Sequence, residues 1–161
     1  TVYAYALELL KADIEKNSEK DTFDRIYCVI DKDGHKDYDR TLAVAKTNPA
    51  PNGKSLHIIS SIPCFEYWVL LHYTYTTKHL KNCAAVIKEL RNIPELKKYD
   101  KKSSDFSRNL HKIIGGRIDT AMSHAKRSLK EAADTGTDNP STHIHILIED
   151  FIDQSQRGLK S

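Results

Sequence analysis

The chain lacks the apolar length that a membrane helix requires. No uninterrupted apolar run approaches ~20 residues, and the longest, Val69–Leu71 with its aromatic neighbours, is far shorter. Cysteine is scarce. Cys28, Cys64 and Cys83 are odd in number, and none stands in a CxxC pair. That argues against a disulfide framework and against a structural zinc finger. Reduced intracellular thiols are the expectation. Glycine is sparing too, with 6 in all. Gly115-Gly116 stand alone without a following Lys-Ser/Thr, so no phosphate-cradling P-loop is present. No secretory signal, internal repeat or low-complexity tract occurs. The first residue is Thr1 rather than Met, and an opening segment upstream of it is expected.

What is present is a globular composition. Hydrophobic residues are 39% and charged residues 29%, which excludes a disordered tail. The 161 residues correspond to about one domain, large enough to bury roughly 70% of its unfolded surface. The net charge of +3 hides an uneven distribution. Residues 1–77 carry 9 Lys/Arg against 11 Asp/Glu. Residues 78–130 carry 14 against 5, and residues 131–161 carry 2 against 6. The basic middle stretch suits a phosphate-binding surface. Its bland alternative is a solvated, Lys-rich helical face.

Apolar spacing organises the front half. Ala6, Leu7, Leu10 and Ile14 recur at helical intervals over residues 3–17. Residues 25–30 (RIYCVI) read as a buried strand of a parallel sheet, followed by Asp31 and a loop. A second helix is expected from Tyr38 to Thr47, with Leu42, Ala43 and Ala45 inward. Residues 48–53 (NPAPNG) are turn chemistry, residues 55–60 (SLHIIS) a second strand, and Pro63 opens an apolar helix, CFEYWVLLHY. This alternation argues for an α/β fold with a parallel sheet. Sites on such sheets lie outside the carboxyl ends of the strands, so the Asp31–Asp33 loop and the Ser60–Pro63 loop are expected to share one crevice. The back half reads as helices at 79–92, 105–114, 117–133 and 143–154. Residues 135–141 form a loop, Ser141 or Thr142 caps the last helix, and Ile144, Leu147, Ile148 and Phe151 point inward.

Asp31-x-Asp33 is the sharpest chemical feature. Two carboxylates at a strand end can hold a hard cation such as Mg²⁺ against a phosphate. The bare motif is cheap: with 14 Asp in the chain, about one D-x-D arises by chance, and Asp37-x-Asp39 is a second copy. An acidic turn is the competing reading. Glu66 interrupts an apolar helix near its start, where the dipole favours a carboxylate; it points into the same crevice or else merely caps. His72, six residues on, lies roughly 240° around the helix from Glu66 and is better read as a hydrogen-bonded core residue than as a ligand.

Other candidates are weaker. Arg117 and His124 have the spacing of a helical class of metal-independent ribonucleases, in which Arg and His act together on phosphate. Ile118 stands where a polar residue is usual, and an amphipathic basic helix is the favoured alternative. His143-x-His145 diverge by about 200° on a helix and are read as non-ligands. Cys64 stands near a helix N-terminus, which lowers a thiol pKa, against a bland reading as a small buried apolar residue.

Residues 26–35 (IYCVIDKDGH), residues 61–72 (SIPCFEYWVLLH), Tyr99 with Lys101 and Lys102, the helix carrying Arg117, Ala121, Ala125 and Lys126, and residues 139–147 (NPSTHIHIL) together resemble the RloB-like family of bacterial phage-defence and restriction-linked loci. They run in family order from Ile26 to Leu147, and the S-x-P-C-F-E-x-W-x-L-L-H block is the specific part. The resemblance implies a Toprim-like α/β core, a mainly parallel sheet flanked by helices, with a helical C-terminal part. It also implies a nuclease-like divalent-metal site serving abortive infection. Toprim-like sites use a Glu after the first strand and a later DxD. Asp31 and Asp33 match the DxD, and Glu66 matches the Glu of the C-F-E block. The first-strand Glu has no counterpart, since neither Glu8 nor Glu15 follows a strand.

The combined expectation is a Toprim-like core over 1–77 and a basic helical part over 78–161 packed on the same domain. The function is Mg²⁺- or Mn²⁺-dependent phosphodiester cleavage in phage defence, in the cytoplasm and away from membranes. Asp31, Asp33 and Glu66 bind metal and, with His72, carry catalysis. Lys101, Lys102, Arg117 and Lys126 contact nucleic-acid phosphate. A restriction- or defence-system ATPase is a further expected partner. Two rivals stand beside this: a non-catalytic nucleic-acid-binding or sensor module, and a metal-independent ribonuclease using Arg117 and His124.

Overall fold

A computed structural model describes residues 1–18 and 21–158, apart from the side chains at 105, 106 and 158. The chain divides into two compact units: residues 1–30 with 34–59, and residues 31–33 with 60–161. Strands β1 (Arg25–Asp31) and β2 (Ser55–Ile62) each begin in the first unit and end in the second. With β3 (Ser141–Thr142) they form one sheet in the order β1-β2-β3. Ser55 N donates to Asp24 O, and at the other end Lys32 N donates to Ser61 O. The two long strands therefore run parallel, the expected α/β arrangement. The short β3 is antiparallel to β2, with Ser61 opposite Thr142 and Ile62 opposite Ser141.

In the first unit, α1 (Val2–Lys16) is capped by the Thr1 hydroxyl, which accepts from Ala4 N at 3.2 Å. It buries Tyr3, Ala6 and Leu10, and Leu7 and Ile14 are half-buried. Helix α2 (Tyr38–Thr47) keeps the expected bounds but a different inward face. Tyr38 and Thr41 are buried while Ala43 is exposed. A tyrosine ring removes far more apolar area from water than an alanine methyl, so the helix turns to cover Tyr38. The turn after α2 places Asn52 and Gly53 at φ 54° and 69°, a left-handed pair suited to Asn-Gly.

The second unit is built around α3 (Glu66–Leu71), whose six residues are all buried. A helix apolar on nearly every side belongs in a core, and α3 packs against α4 (Cys83–Leu90) and α6 (Ile118–Thr135). On α6, Ala121, Ala125 and Ser128 form the buried face. The helix ends at Gly136, φ 70°, a left-handed C-cap that glycine adopts without penalty.

Helix α4 starts four residues later than the periodicity suggests. The Asn139 amide accepts from Leu80 N at 3.1 Å and donates to Leu80 O at 2.9 Å. Asn82 then caps, its side chain accepting from Ala85 N at 3.0 Å. Both groups hold residues 79–82 out of the helix. A 3₁₀ turn at Pro94–Leu96, α5 (Ser104–Ile114), and a 3₁₀ turn at Gly115–Arg117 complete the path to α6.

Helix α7 is Ile144–Gly158. Two expectations are corrected here. Ser141 and Thr142 pair with β2 instead of lying in a loop or helix start, and His143 precedes the helix. Phe151, expected inward, is 52% exposed; every residue from 151 to 157 is exposed, so α7 outruns its packing against α6. Among the described residues no helix is long and apolar enough to cross a membrane.

Candidate functional site

The site lies within the second unit, where the exits of β1 and β2 meet. Lys32 N donates to Ser61 O at 3.0 Å and Asp33 N to Pro63 O at 2.8 Å. Asp31, the last residue of β1, accepts from Phe65 N through Oδ1 at 2.9 Å. That bond sets the start of α3 beside the Asp31 carboxylate, and the next residue is Glu66. The two loops thus lie against each other, as expected from strand-end geometry.

Glu66 is 1% exposed and fully engaged. Its Oε1 accepts from the Tyr99 hydroxyl at 3.0 Å. The Lys101 ammonium lies 3.3 Å from both Oε1 and Oε2, and Cys83 Sγ is 3.1 Å from Oε2. Lys101 Nζ also lies 3.7 Å from Asp31 Oδ2. One cation therefore sits between two carboxylates, one almost wholly buried and one partly exposed. Pairing of this kind is what makes a buried carboxylate tolerable. The Lys101 side chain itself is half-exposed.

Tyr99 stays a donor at every ordinary pH. Burial, then the charge of Glu66 and its hydrogen bond, then the charge of Asp31, push its hydroxyl well above the usual phenol range. The Arg91 guanidinium donates twice to Tyr99 O, at 3.1 and 2.9 Å, which fixes the tyrosine backbone. The second carboxylate of the DxD is turned elsewhere. Asp33 Oδ2 accepts from Cys83 N at 2.7 Å and serves the first turn of α4.

The thiols depart from the sequence expectation. Cys64 and Cys83 are joined as a disulfide, Cα atoms 5.5 Å apart, and only Cys28 is free among the described cysteines. The reading of three reduced thiols is thereby corrected. The odd count conceals one pair, and the 19-residue separation carries no local signature that could have identified it.

The other expected site residues lie apart. His72, expected among the catalytic residues, has no exposed surface. Its Nδ1 is 2.9 Å from Trp68 O, its ring meets Trp68 edge-on, and Nε2 has no partner among the described residues. Burial holds its pKa below the ordinary histidine value. It is the hydrogen-bonded core residue of the bland reading.

Arg117 stacks over the Tyr73 ring at 4.7 Å and lies 3.9 Å from Glu95. His124 Nδ1 is 2.8 Å from Leu71 O. No hydrogen bond joins Arg117 to His124 among the described residues. Lys126 pairs with Glu149. Lys102 is exposed, its backbone N–H donating to Asp100 at 2.9 Å. Of the four phosphate candidates, only Lys101 touches the acidic pair. Tyr99 and Cys83 are the site residues to which the sequence assigned no role.

A sequence profile for RloB-like protein matches residues 1–151. Neither a curated protein nor a solved structure matches the chain. A match over that length, ending where the block around Ile144–Leu147 has been passed, makes the chain a member of the RloB-like protein family.

Proposed function

We propose that this chain is a metal-dependent phosphodiesterase acting on nucleic acid, serving phage defence in the bacterial cytoplasm. The observation that carries the reading is the Lys101 ammonium held between Asp31 and Glu66 at 3.7 and 3.3 Å. Two carboxylates from two strand exits already converge on one cation.

The donor set fits Mg²⁺ or Mn²⁺, which take oxygen ligands. Asp31 and Glu66 would hold the ion, and Asp33 would join them on releasing Cys83 N. When bound, the ion polarises a phosphoryl oxygen and lowers the pKa of a water. Lys101, displaced from the carboxylates, is then close enough to meet the phosphate. Tyr99 keeps Glu66 oriented through its hydroxyl. Lys97, Lys98 and Lys102 are exposed on the same stretch of chain and suit the nucleic-acid backbone. Family membership supports the defence role.

Asp31→Ala should abolish Mg²⁺-dependent cleavage of nucleic acid while leaving binding in place, read on labelled DNA and RNA with and without EDTA. Undiminished cleavage by that variant overturns the assignment. EDTA-resistant cleavage that disappears in His124→Ala would instead establish the Arg117/His124 ribonuclease. The second reading is a non-catalytic binding module. It is favoured by the same ammonium, because Lys101 neutralises the acidic pair without any metal. It predicts nucleic-acid binding unaffected by EDTA and no cleavage with any divalent ion.

A further inference from the structure

We infer that Cys64, Cys83 and Glu66 form a site for a thiophilic divalent cation of the zinc class, opened when the Cys64–Cys83 bond is reduced. The donor atoms of these three residues all lie within 4.8 Å of one another. Around a zinc ion bound to sulfur at about 2.3 Å and to carboxylate oxygen at about 2.0–2.2 Å, donors are separated by roughly 3.5–4 Å. Closing the cluster onto one ion therefore needs only small side-chain movements.

The three positions are held by contacts that do not depend on the sulfur–sulfur bond. Cys64 lies between Pro63, whose carbonyl accepts from Asp33 N, and Phe65, whose N–H donates to Asp31. Cys83 is the first residue of α4, its N–H bound by Asp33 Oδ2 at 2.7 Å. Glu66 is held by Tyr99 at 3.0 Å. Reduction therefore leaves two thiols and a carboxylate facing one another on fixed chain.

Cys83 stands at a helix N-terminus, with the Lys101 ammonium 3.8 Å and Glu66 Oε2 3.1 Å from its Sγ. Lys101 is half-exposed and can swing outward when the ion arrives. Cys28 is buried in the first unit, where burial raises its pKa.

The chemistry balances. A dithiol reductant breaks the Cys64–Cys83 bond, passing two electrons and two protons. This leaves two cysteine thiols and an oxidised, cyclic disulfide reductant. Zinc then displaces the two thiol protons and takes one Glu66 oxygen, and water completes the fourth position as in open three-ligand sites. Because Glu66 serves this ion, it is withdrawn from a hard cation shared with Asp31. The inference goes beyond the proposed cleavage and stands whether or not the chain is a nuclease.

The test uses the full chain reduced with a phosphine, its thiols counted, then titrated with Zn²⁺ against a chromophoric chelator and with Co²⁺ as spectroscopic probe. One ion per chain is expected, with a near-ultraviolet thiolate-to-cobalt charge-transfer band. The band should vanish in Cys64→Ser and Cys83→Ser, and in the unreduced wild-type chain. It should persist in Cys28→Ser. Glu66→Gln should weaken zinc binding by about tenfold or more. The oxidised and reduced wild-type chains are compared directly, so the result does not depend on a variant folding. A reduced chain with free thiols that takes up no zinc, or a cobalt spectrum without the thiolate band, overturns the site. So does loss of the band in Cys28→Ser alone.

Discussion

A carboxylate as enclosed as Glu66 persists only with donors around it, and Tyr99 and Lys101 supply them. Two histidines show the opposite arrangement. His72 and His145 are both buried, each with one ring nitrogen lacking a partner among the described residues. Burial lowers the pKa of His72. For His145 burial is again the largest cause, partly opposed by the charge of Glu149 and reinforced by His143 and Lys126. A lowered folded pKa means the unfolded chain binds protons first as pH falls. Stability is therefore full above the ordinary histidine pKa and is lost as pH drops from about 6.5 towards the depressed folded value. Each histidine contributes at most about 1.4 kcal/mol per pH unit across that window. The urea midpoint should fall from pH 7 to pH 5, and His72→Leu should flatten that slope. An unchanged slope would mean that His72 is not the neutral core residue described.

Elements are held by close approach as much as by pattern. Ala121 and Ala125 on α6 have no exposed surface, and Ser128 is 1% exposed. Ser128 accepts from the Tyr67 hydroxyl of α3 at 3.0 Å and donates to Pro140 O at 2.9 Å. Small side chains there let α6 lie against α3. Ala125→Leu should therefore overpack that face and destabilise the chain by about 1–3 kcal/mol. The same change at exposed Lys130 should be near neutral. Denaturant titration of both variants measures the difference. This is also the scale at which the sequence was most legible. The spacing of Ala6, Leu7, Leu10 and Ile14, the run from Arg25 to Ile30 and the NPAPNG turn announce α1, β1 and the bend before β2. The start of α4 was not legible, because Asn139 binds both backbone groups of Leu80 from 59 residues away. Nor was β3, two polar residues whose strand character comes wholly from pairing with Ser61 and Ile62.

At the scale of the whole chain, a strand-end rule placed Asp31 beside Glu66, but no rule of local spacing reaches Tyr99 or Cys83. They approach Glu66 across 33 and 17 residues, and such contacts are written only in the fold. The uneven charge was legible throughout, and it leads to the last prediction. Residues 78–130 hold 14 Lys/Arg against 5 Asp/Glu, and Lys97, Lys98 and Lys102 are all exposed close in sequence to Tyr99 and Lys101. If these three meet phosphates, each releases counterions on binding. The dependence of log affinity on log salt then steepens by about 0.9 per contact on duplex and about 0.7 on a single strand. Replacing all three by Ala should make that dependence shallower by roughly 2–3 and weaken binding equally across sequences, since phosphate contacts carry no sequence information. Fluorescence anisotropy of labelled nucleic acid over a salt series reads both effects. Lys126→Ala is the control: its ammonium already pairs with Glu149, so it has less charge to offer a phosphate and should move the slope less. A triple variant that keeps the wild-type slope would remove the basic stretch from the nucleic-acid interface.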